Sequence, residues 1–337
     1  MYTSLILFTV VFFSVYHTEQ SNFLSKERIH KLNEIATSWK AKQNFHPNTP
    51  REHIVKLLGS RKSKSLNTIS KRRIKKTDAL YVKNNEVPDT FDARKRWPYC
   101  KTIGEIRNQG DCGSCWAHST TGAFADRLCI KTNGKFNKSI SVEELTFCCS
   151  LCGYGCDGGD PYSAWENFIV HGVVTGGNYN TSDGCQPYKI PPCSFKNENK
   201  SSCTLQREYY PECSKTCYGD KTINYKYDHH TSISAYALSN VSMQQDVMTY
   251  GPIEVTFSVY DDFVNYESGV YFKTENASFL GLHSVKLIGW GRKYGKPYWL
   301  VINSWGSEFG DQGTFKILRG VNECDIEEES TAGIPYF

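Results

Sequence analysis

The sequence predicts an α+β fold, and three observations carry that prediction. The stretch after Ser114 reads as one helix running to about Ile130 and closed by Gly134. From Ile253 onward, apolar and polar residues alternate in short runs separated by glycine-containing turns, the pattern of strands. All fourteen cysteines lie between Cys100 and Cys324, so a cysteine-free front of 99 residues precedes a cysteine-rich body. With 337 residues, the chain is long enough for one large core or two modest ones.

In chain order, Leu5 to Tyr16 is an apolar run of twelve, too short to span a bilayer and suited to the central region of a secretory signal. A buried N-terminal helix is the alternative. The residues before it lack Lys and Arg, and cleavage is expected near residues 14–21, giving a signal peptide of about residues 1–20. Ser25 to Gln43 reads as an amphipathic helix with Ile29, Leu32, Ile35 and Trp39 near one face. Ile54, Leu57 and Leu58 form a second short segment, and Arg61 to Lys76 reads as an extended, solvated linker. Pro88 to Asp92 opens the body, whose expected strands are Ile253–Val259, Val285–Trp290, Tyr298–Asn303 and Gly313–Leu318.

Charge divides the chain at the same place. Residues 1–86 hold 16 Lys and Arg against 6 Asp and Glu, net +10, and residues 87–337 hold 23 against 29, net −6. The run Lys71-Arg72-Arg73-Ile74-Lys75-Lys76 invites a nucleic-acid reading, but no aromatic platform interleaves it. A basic front segment lying on an acidic body is the simpler account. Fourteen cysteines are too many for a metal-free cytosolic protein and point to an oxidising compartment. Asn-x-Ser/Thr triplets at Asn137, Asn180, Asn199, Asn240 and Asn276 are compatible with secretion.

Cys112-Gly113-Ser114-Cys115-Trp116 carries the chemistry. A cysteine at a helix start is a nucleophile in waiting, because the N-terminal N–H groups favour the thiolate. A disulfide-bonded structural pair and a redox Cys-x-x-Cys compete with a hydrolytic cysteine, which is the favoured reading. A zinc site using Cys112, Cys115, Cys149 and Cys152 is conceivable by spacing, but the compartment favours disulfides. His118, three residues after Cys115, is a rival base.

Gln109 stands six residues before Cys115, His283 lies in Gly281-Leu282-His283-Ser284-Val285, and Asn303 lies in Asn303-Ser304-Trp305-Gly306. With Phe91-Asp92-Ala93-Arg94, Cys156-Asp157-Gly158-Gly159, Tyr298-Trp299-Leu300-Val301 and Phe315-Lys316-Ile317-Leu318-Arg319-Gly320, these residues resemble the papain family of cysteine proteases, and within it the cathepsin B-like enzymes. The likeness runs from about Lys26 to the C-terminus. His283 and Asn303 follow Cys115 by 168 and 188 residues, where simpler papain-like chains need about 130–150. The extra length falls in a cysteine-rich insertion, residues 185–217, matching the family's occluding loop.

The resemblance implies a papain-like two-domain fold, a helical half and a β-barrel-like half with the active-site cleft between them. It implies an inhibitory propeptide over residues 21–86, supported by Thr37-Ser38-Trp39-Lys40 and Asn44-Phe45, and a mature peptidase over 87–337. Cys115 would be the nucleophile, His283 its base, Asn303 the orienter of the imidazole and Gln109 an oxyanion donor. Trp305 would shield the His–Asn bond. His118 would be buried or hydrogen-bonded, since the family has an aromatic core residue there. Gly158, Gly159, Thr256, Ser284 and Glu329 would join Trp305 along the substrate, with Glu329 accepting Arg at P2. Asp160, Thr256 and Ser284 stand where the family is more apolar.

Carried over by position, the disulfides would be Cys100–Cys129, Cys112–Cys156, Cys148–Cys213, Cys149–Cys152, Cys185–Cys217 and Cys193–Cys203, leaving Cys115 and Cys324 as thiols. The implied partners are polypeptide substrates, the chain's own propeptide and cystatin-type inhibitors. A monomer is implied, with no nucleic acid, no membrane span, and neither metal nor organic cofactor. The implied location is the secretory pathway, lysosomal or extracellular.

The chain also departs from the family. Where the occluding loop has two adjacent histidines that grip a substrate's terminal carboxylate, this sequence has Phe195 and Lys196. The Asp that ties that loop down is replaced by Asn108, while Lys200 and Glu308 fall where the family has a second, Arg–Asp clamp. Internal cleavage is therefore expected over removal of C-terminal dipeptides. The alternative function is a catalytically silent binding protein on the same fold.

Overall fold

A computed structural model describes residues 22–63, 87–193 and 210–337. The apolar run at residues 5–16, the basic run at 71–76, and Phe195, Lys196, Lys200 and Cys203 lie outside the described residues.

The front segment comes first. Helix α1, Lys26–Ile35, begins where the Ser25 hydroxyl accepts the N–H of Arg28. The helix expected to reach Gln43 stops at Ile35, and Trp39–Ala41 is instead a strand, β1, paired antiparallel with body strand β5 (Tyr266–Gly269). Two sets of bonds outweigh helical propensity there. The Asn33 side chain caps both backbone groups of Ala41, and Ser38 exchanges bonds with Val270. Trp39 is thus buried on a strand, and Ile35 is 46% exposed rather than part of one apolar face. A second short helix, α2, covers Arg51–Lys56.

The body's first half is helical. Strand β2 (Phe91–Asp92) leads into α3 (Ala93–Arg96), followed by α4 (Cys115–Lys131), α5 (Val142–Cys148) and α6 (Pro161–Val170). Helix α4 is buried on nearly every side and ends where Gly134, at φ +83°, returns its N–H to Cys129. Asp160, expected near the substrate, caps α6 by accepting the N–H of Tyr162 and the hydroxyl of Ser163.

The second half is an antiparallel sheet built from β3 (Ser232–Leu238), β4 (Ile253–Tyr260), β6 (Phe279–Lys293), β7 (Lys296–Ile302), β8 (Thr314–Leu318) and β9 (Glu329–Pro335), in the order β3-β9-β4-β6-β7-β8, with β2 added against β6. Helix α7 (Asn240–Tyr250) packs beside it.

Each half has its own core, one around Trp116, Phe124 and Trp165, the other around Phe257, Phe263 and Phe315. Arg127, fully buried on α4, joins them. It pairs with Asp246 of α7 and donates to the carbonyls of Gly251, Pro252 and Gly333. Among the described residues, disulfides link Cys100–Cys129, Cys112–Cys156, Cys148–Cys213, Cys149–Cys152 and Cys185–Cys217. Cys193 is described, but the partner implied for it is not. No helix of the described residues is long and apolar enough to cross a membrane.

Candidate active site

Cys115 is the first residue of α4, so its backbone sits at the positive end of a 17-residue helix. His283 comes from the facing wall, on β6, where it pairs with Phe257. Its Nε2 lies 2.8 Å from Asn303 Oδ1, just past the end of β7. An amide oxygen only accepts, so Nε2 carries the proton and the neutral ring keeps a bare Nδ1. Trp305 covers the imidazole at 4.7 Å between ring centroids and is itself packed against Phe309 and Phe45.

Gln109 is fixed end to end. Its Oε1 accepts the Ser304 hydroxyl at 2.6 Å, which turns the amide N–H₂ toward the carbonyls of Cys112 (2.7 Å) and Leu57 (3.0 Å). Tyr188, at the base of the insertion, bonds both the Gln109 carbonyl and the Ser114 hydroxyl. Ser304 and Tyr188 carried no signal in the sequence, since a lone hydroxyl has no pattern.

The front segment fills the cleft. Gly59 O accepts the N–H of Gly159, Arg61 N–H donates to Gly159 O, and Ser60 N–H donates to Leu282 O, so residues 59–61 are laced to both walls. Gly59 lies so close that a Cβ there would fall 1.8 Å from the Gly113 carbonyl oxygen. Gly158, at φ +101°, takes a conformation that favours glycine, and a Cβ on Gly159 would strike Trp116.

Burial under this segment inverts the expected electrostatics. Loss of water pushes the Cys115 thiol up to about 12, although backbone hydrogen bonds at Ser284, Gly59 and Trp116 favour the thiolate. Burial likewise takes His283 down to about 4, against the pull of Asn303 and of the Leu57 carbonyl. Both shifts run toward the neutral thiol and neutral imidazole, against the thiolate that the helix start favours. His118 is buried, with Nδ1 3.1 Å from the Ser114 carbonyl and a value lowered to about 3 by burial. It stays neutral in the helical core.

Glu329, on β9, is raised by burial and lies 4.0 Å from the Lys62 ammonium of the front segment. Thr256 and Ser284 sit side by side on β4 and β6 below Ser60. Asn108 donates to the Cys193 carbonyl at the root of the insertion, 3.3 Å away, so a neutral bond stands where the sequence suggested a lost clamp. Glu308 is exposed, and the Lys200 end of its expected pair lies outside the described residues.

Among the described residues, ion pairs that cross from segment to body include Arg28–Asp261, Lys56–Asp111 and Lys62–Glu329. Lys62 is exposed, so its pair contributes only about 0–1 kcal/mol, whereas Arg28–Asp261 and Lys56–Asp111 are partly buried. Phe23, Leu24, Leu32, Trp39, Phe45, Ile54, Leu57 and Leu58 are all buried within the same apolar cluster as the sheet.

Comparison with known proteins agrees with this architecture. Residues 87–334 match the model of the papain family cysteine protease, and residues 24–64 match the peptidase family C1 propeptide. The chain is 43% identical over 277 residues to cathepsin B-like cysteine proteinase 6 of Caenorhabditis elegans, covering 80% of this chain and 72% of that one. It is 38% identical over 315 residues to a cathepsin B-like cysteine proteinase of Schistosoma japonicum, covering 92% and 91%. Among solved structures it resembles procathepsin B S9 from Trypanosoma congolense, with a TM-score of 0.77 at 33% identity over 94% of this chain and 99% of that one. The fold is shared with digestive procathepsin L 3 of Tenebrio molitor, with a TM-score of 0.64 at 21% identity over 91% and 88%. The chain is a member of the papain family of cysteine proteases, of its cathepsin B-like group, and carries that family's propeptide.

Proposed function

We infer that this protease is an endopeptidase made as a zymogen, with dipeptidyl carboxypeptidase activity weakened or lost. The observation behind that balance is the insertion itself. Residues 185–217 contain no histidine, and Asn108 offers its root only a neutral hydrogen bond. The insertion therefore supplies no imidazolium to meet a terminal carboxylate. Lys196 brings a cation on a long flexible stem, a poorly preorganised substitute.

Chemistry follows from clearing the cleft. Water then reaches the pair, and the Cys115 proton passes to the bare Nδ1 of His283, whose Nε2–H stays on Asn303. The thiolate attacks the peptide carbonyl carbon. The developing oxyanion takes the Gln109 side-chain N–H that Leu57 now occupies, together with the Cys115 backbone N–H. The imidazolium gives its proton to the leaving amine, and water then hydrolyses the thioester. Removing the Gln109 donor should cost about 10²–10³ in rate. Trp305 keeps water off the His–Asn bond. Glu329, released from Lys62, receives Arg at P2 through a charge-assisted bond.

The propeptide and the bridges indicate the secretory route. Lysosomal or extracellular residence, a monomeric state and inhibition by cystatin-type proteins complete the reading. The test is the ratio of activities on matched peptides with free and amidated C-termini. The activated enzyme should favour the amidated, internally cut substrate, and Phe195→His, Lys196→His and Asn108→Asp together should move the ratio toward dipeptide release. A strong preference for the free carboxylate in the unmodified enzyme would sink the proposal.

A further inference from the structure

Register places five polar side chains together beneath the cleft. Thr256 of β4 lies between Ser284 of β6 and Glu329 of β9, and Glu254 lies opposite Thr331. Glu254 is fully buried and accepts the hydroxyls of Thr256, at 2.9 Å, and of Thr331. Thr256 Oγ1 is 2.9 Å from Ser284 Oγ. A buried carboxyl with hydroxyl partners, one of which opens onto the cleft, is a polar floor where an apolar one would be simpler to build.

The floor is already occupied. Ser60 stands between the two backbone bonds that tie the propeptide to Gly159, and its Oγ is 3.0 Å from Thr256 Oγ1 and 2.7 Å from Ser284 Oγ. With the propeptide in place all three hydroxyls are buried. Its departure leaves Thr256 and Ser284 without the partner that Ser60 supplied, and each hydroxyl can both give and take a hydrogen bond.

Resting on the protease reading above, we propose that the pocket entered by Ser60 selects a short hydroxyl side chain, Thr or Ser, at P2 over its apolar isostere. An apolar side chain there removes the bonds made by Ser60 and leaves Thr256 and Ser284 bonded to each other and to Glu254. Because that internal bond remains, discrimination should be about tenfold, far from the 10⁴–10⁵ seen where a polar group is wholly stranded. Glu329 is a separate reader. It faces Lys62, two residues further along, and serves a long cation rather than a short hydroxyl.

The experiment uses the activated enzyme, titrated at its active site, on peptide pairs that differ only in Thr against Val, and Ser against Ala, at P2. Thr should exceed Val about tenfold in kcat/KM, and Thr256→Val with Ser284→Ala should abolish the difference. Equal or better turnover of the Val peptide by the unmodified enzyme overturns the inference. A second readout needs no turnover and no change in the body. Ser60→Ala in the uncut chain should speed labelling of Cys115 by an epoxide about tenfold, and Ser60→Thr should not. Unchanged labelling with Ser60→Ala overturns it as well. Failure of the activated enzyme to cut any peptide or to be labelled at Cys115 would instead bring down the protease reading, and this inference with it.

Discussion

At the scale of single residues, latency rests on a glycine. Gly59 lies against the Gly113 carbonyl with no room for a methyl group, and the atom it would meet is backbone. Gly59→Ala should therefore lift residues 57–61 from the cleft. Labelling of Cys115 by an epoxide inhibitor in the uncut chain should rise at least about tenfold if the displacement costs roughly 1.4 kcal/mol or more. An unchanged labelling rate would show that the segment is not held by this contact.

The same burial sets the ionisation of the nucleophile. A thiol raised to about 12 is protonated throughout the physiological range and forms thiolate only as pH climbs toward that value. Alkylation of Cys115 in the intact zymogen should thus be slow and still rising at pH 9. After removal of the propeptide, the rate should be fast and level through neutral pH if His283 takes up the proton as proposed and holds the thiolate as its imidazolium partner. A plateau below pH 9 in the zymogen would contradict the neutral pair.

At the scale of elements, α4 links the two halves through Arg127. Both members of the Arg127–Asp246 pair are fully buried, and the guanidinium is satisfied by backbone carbonyls as well. Asp246→Ala would leave an uncompensated buried cation and should destabilise the body by about 3–5 kcal/mol, read from the denaturant midpoint. A loss under about 1 kcal/mol would mean that the backbone carbonyls suffice.

Legibility followed the strength of each element's own pattern. Helix α4 and strands β4, β7 and β8 were readable from their own runs, whereas β6, expected over Val285–Trp290, extends over Phe279–Lys293 because pairing with β4 and β7 carries it through Gly281, His283 and Ser284. Strands β3 and β9 were not, since Ser-Ile-Ser-Ala-Tyr-Ala-Leu and Glu-Ser-Thr-Ala-Gly-Ile-Pro are small and polar and gain strand character only from neighbours. Strand β1 was misread as helix because its partner, β5, lies more than 200 residues away. Cys115 stood out through its local motif, and His283, Asn303 and Gln109 through the family resemblance. The bonds from Ser304 and Tyr188 that orient Gln109 and its surroundings are tertiary, and nothing local announces them.

At the scale of the whole molecule, propeptide and enzyme share one apolar cluster. Trp39 packs on Tyr266 and Tyr271, and Phe45 meets Trp305 beside the imidazole. The body of residues 87–337, denatured with its bridges intact and returned to native buffer alone, should recover poorly. Adding the separate segment 22–63 should raise the yield of Cys115-labelled protein severalfold. Equal recovery with and without it would show that the body completes its own core.

With poor recovery of the body alone, that shared cluster would make activation a one-way step. Cutting the chain does more than uncover a cleft, because it removes aromatic partners that helped define the lowest-energy state of the sheet. The mature enzyme then persists behind a barrier to unfolding rather than in a well replenished by refolding, so its working life is set by a rate. A molecule opened once, by heat or by reduction of its bridges, is then expected to stay open without the segment it has lost.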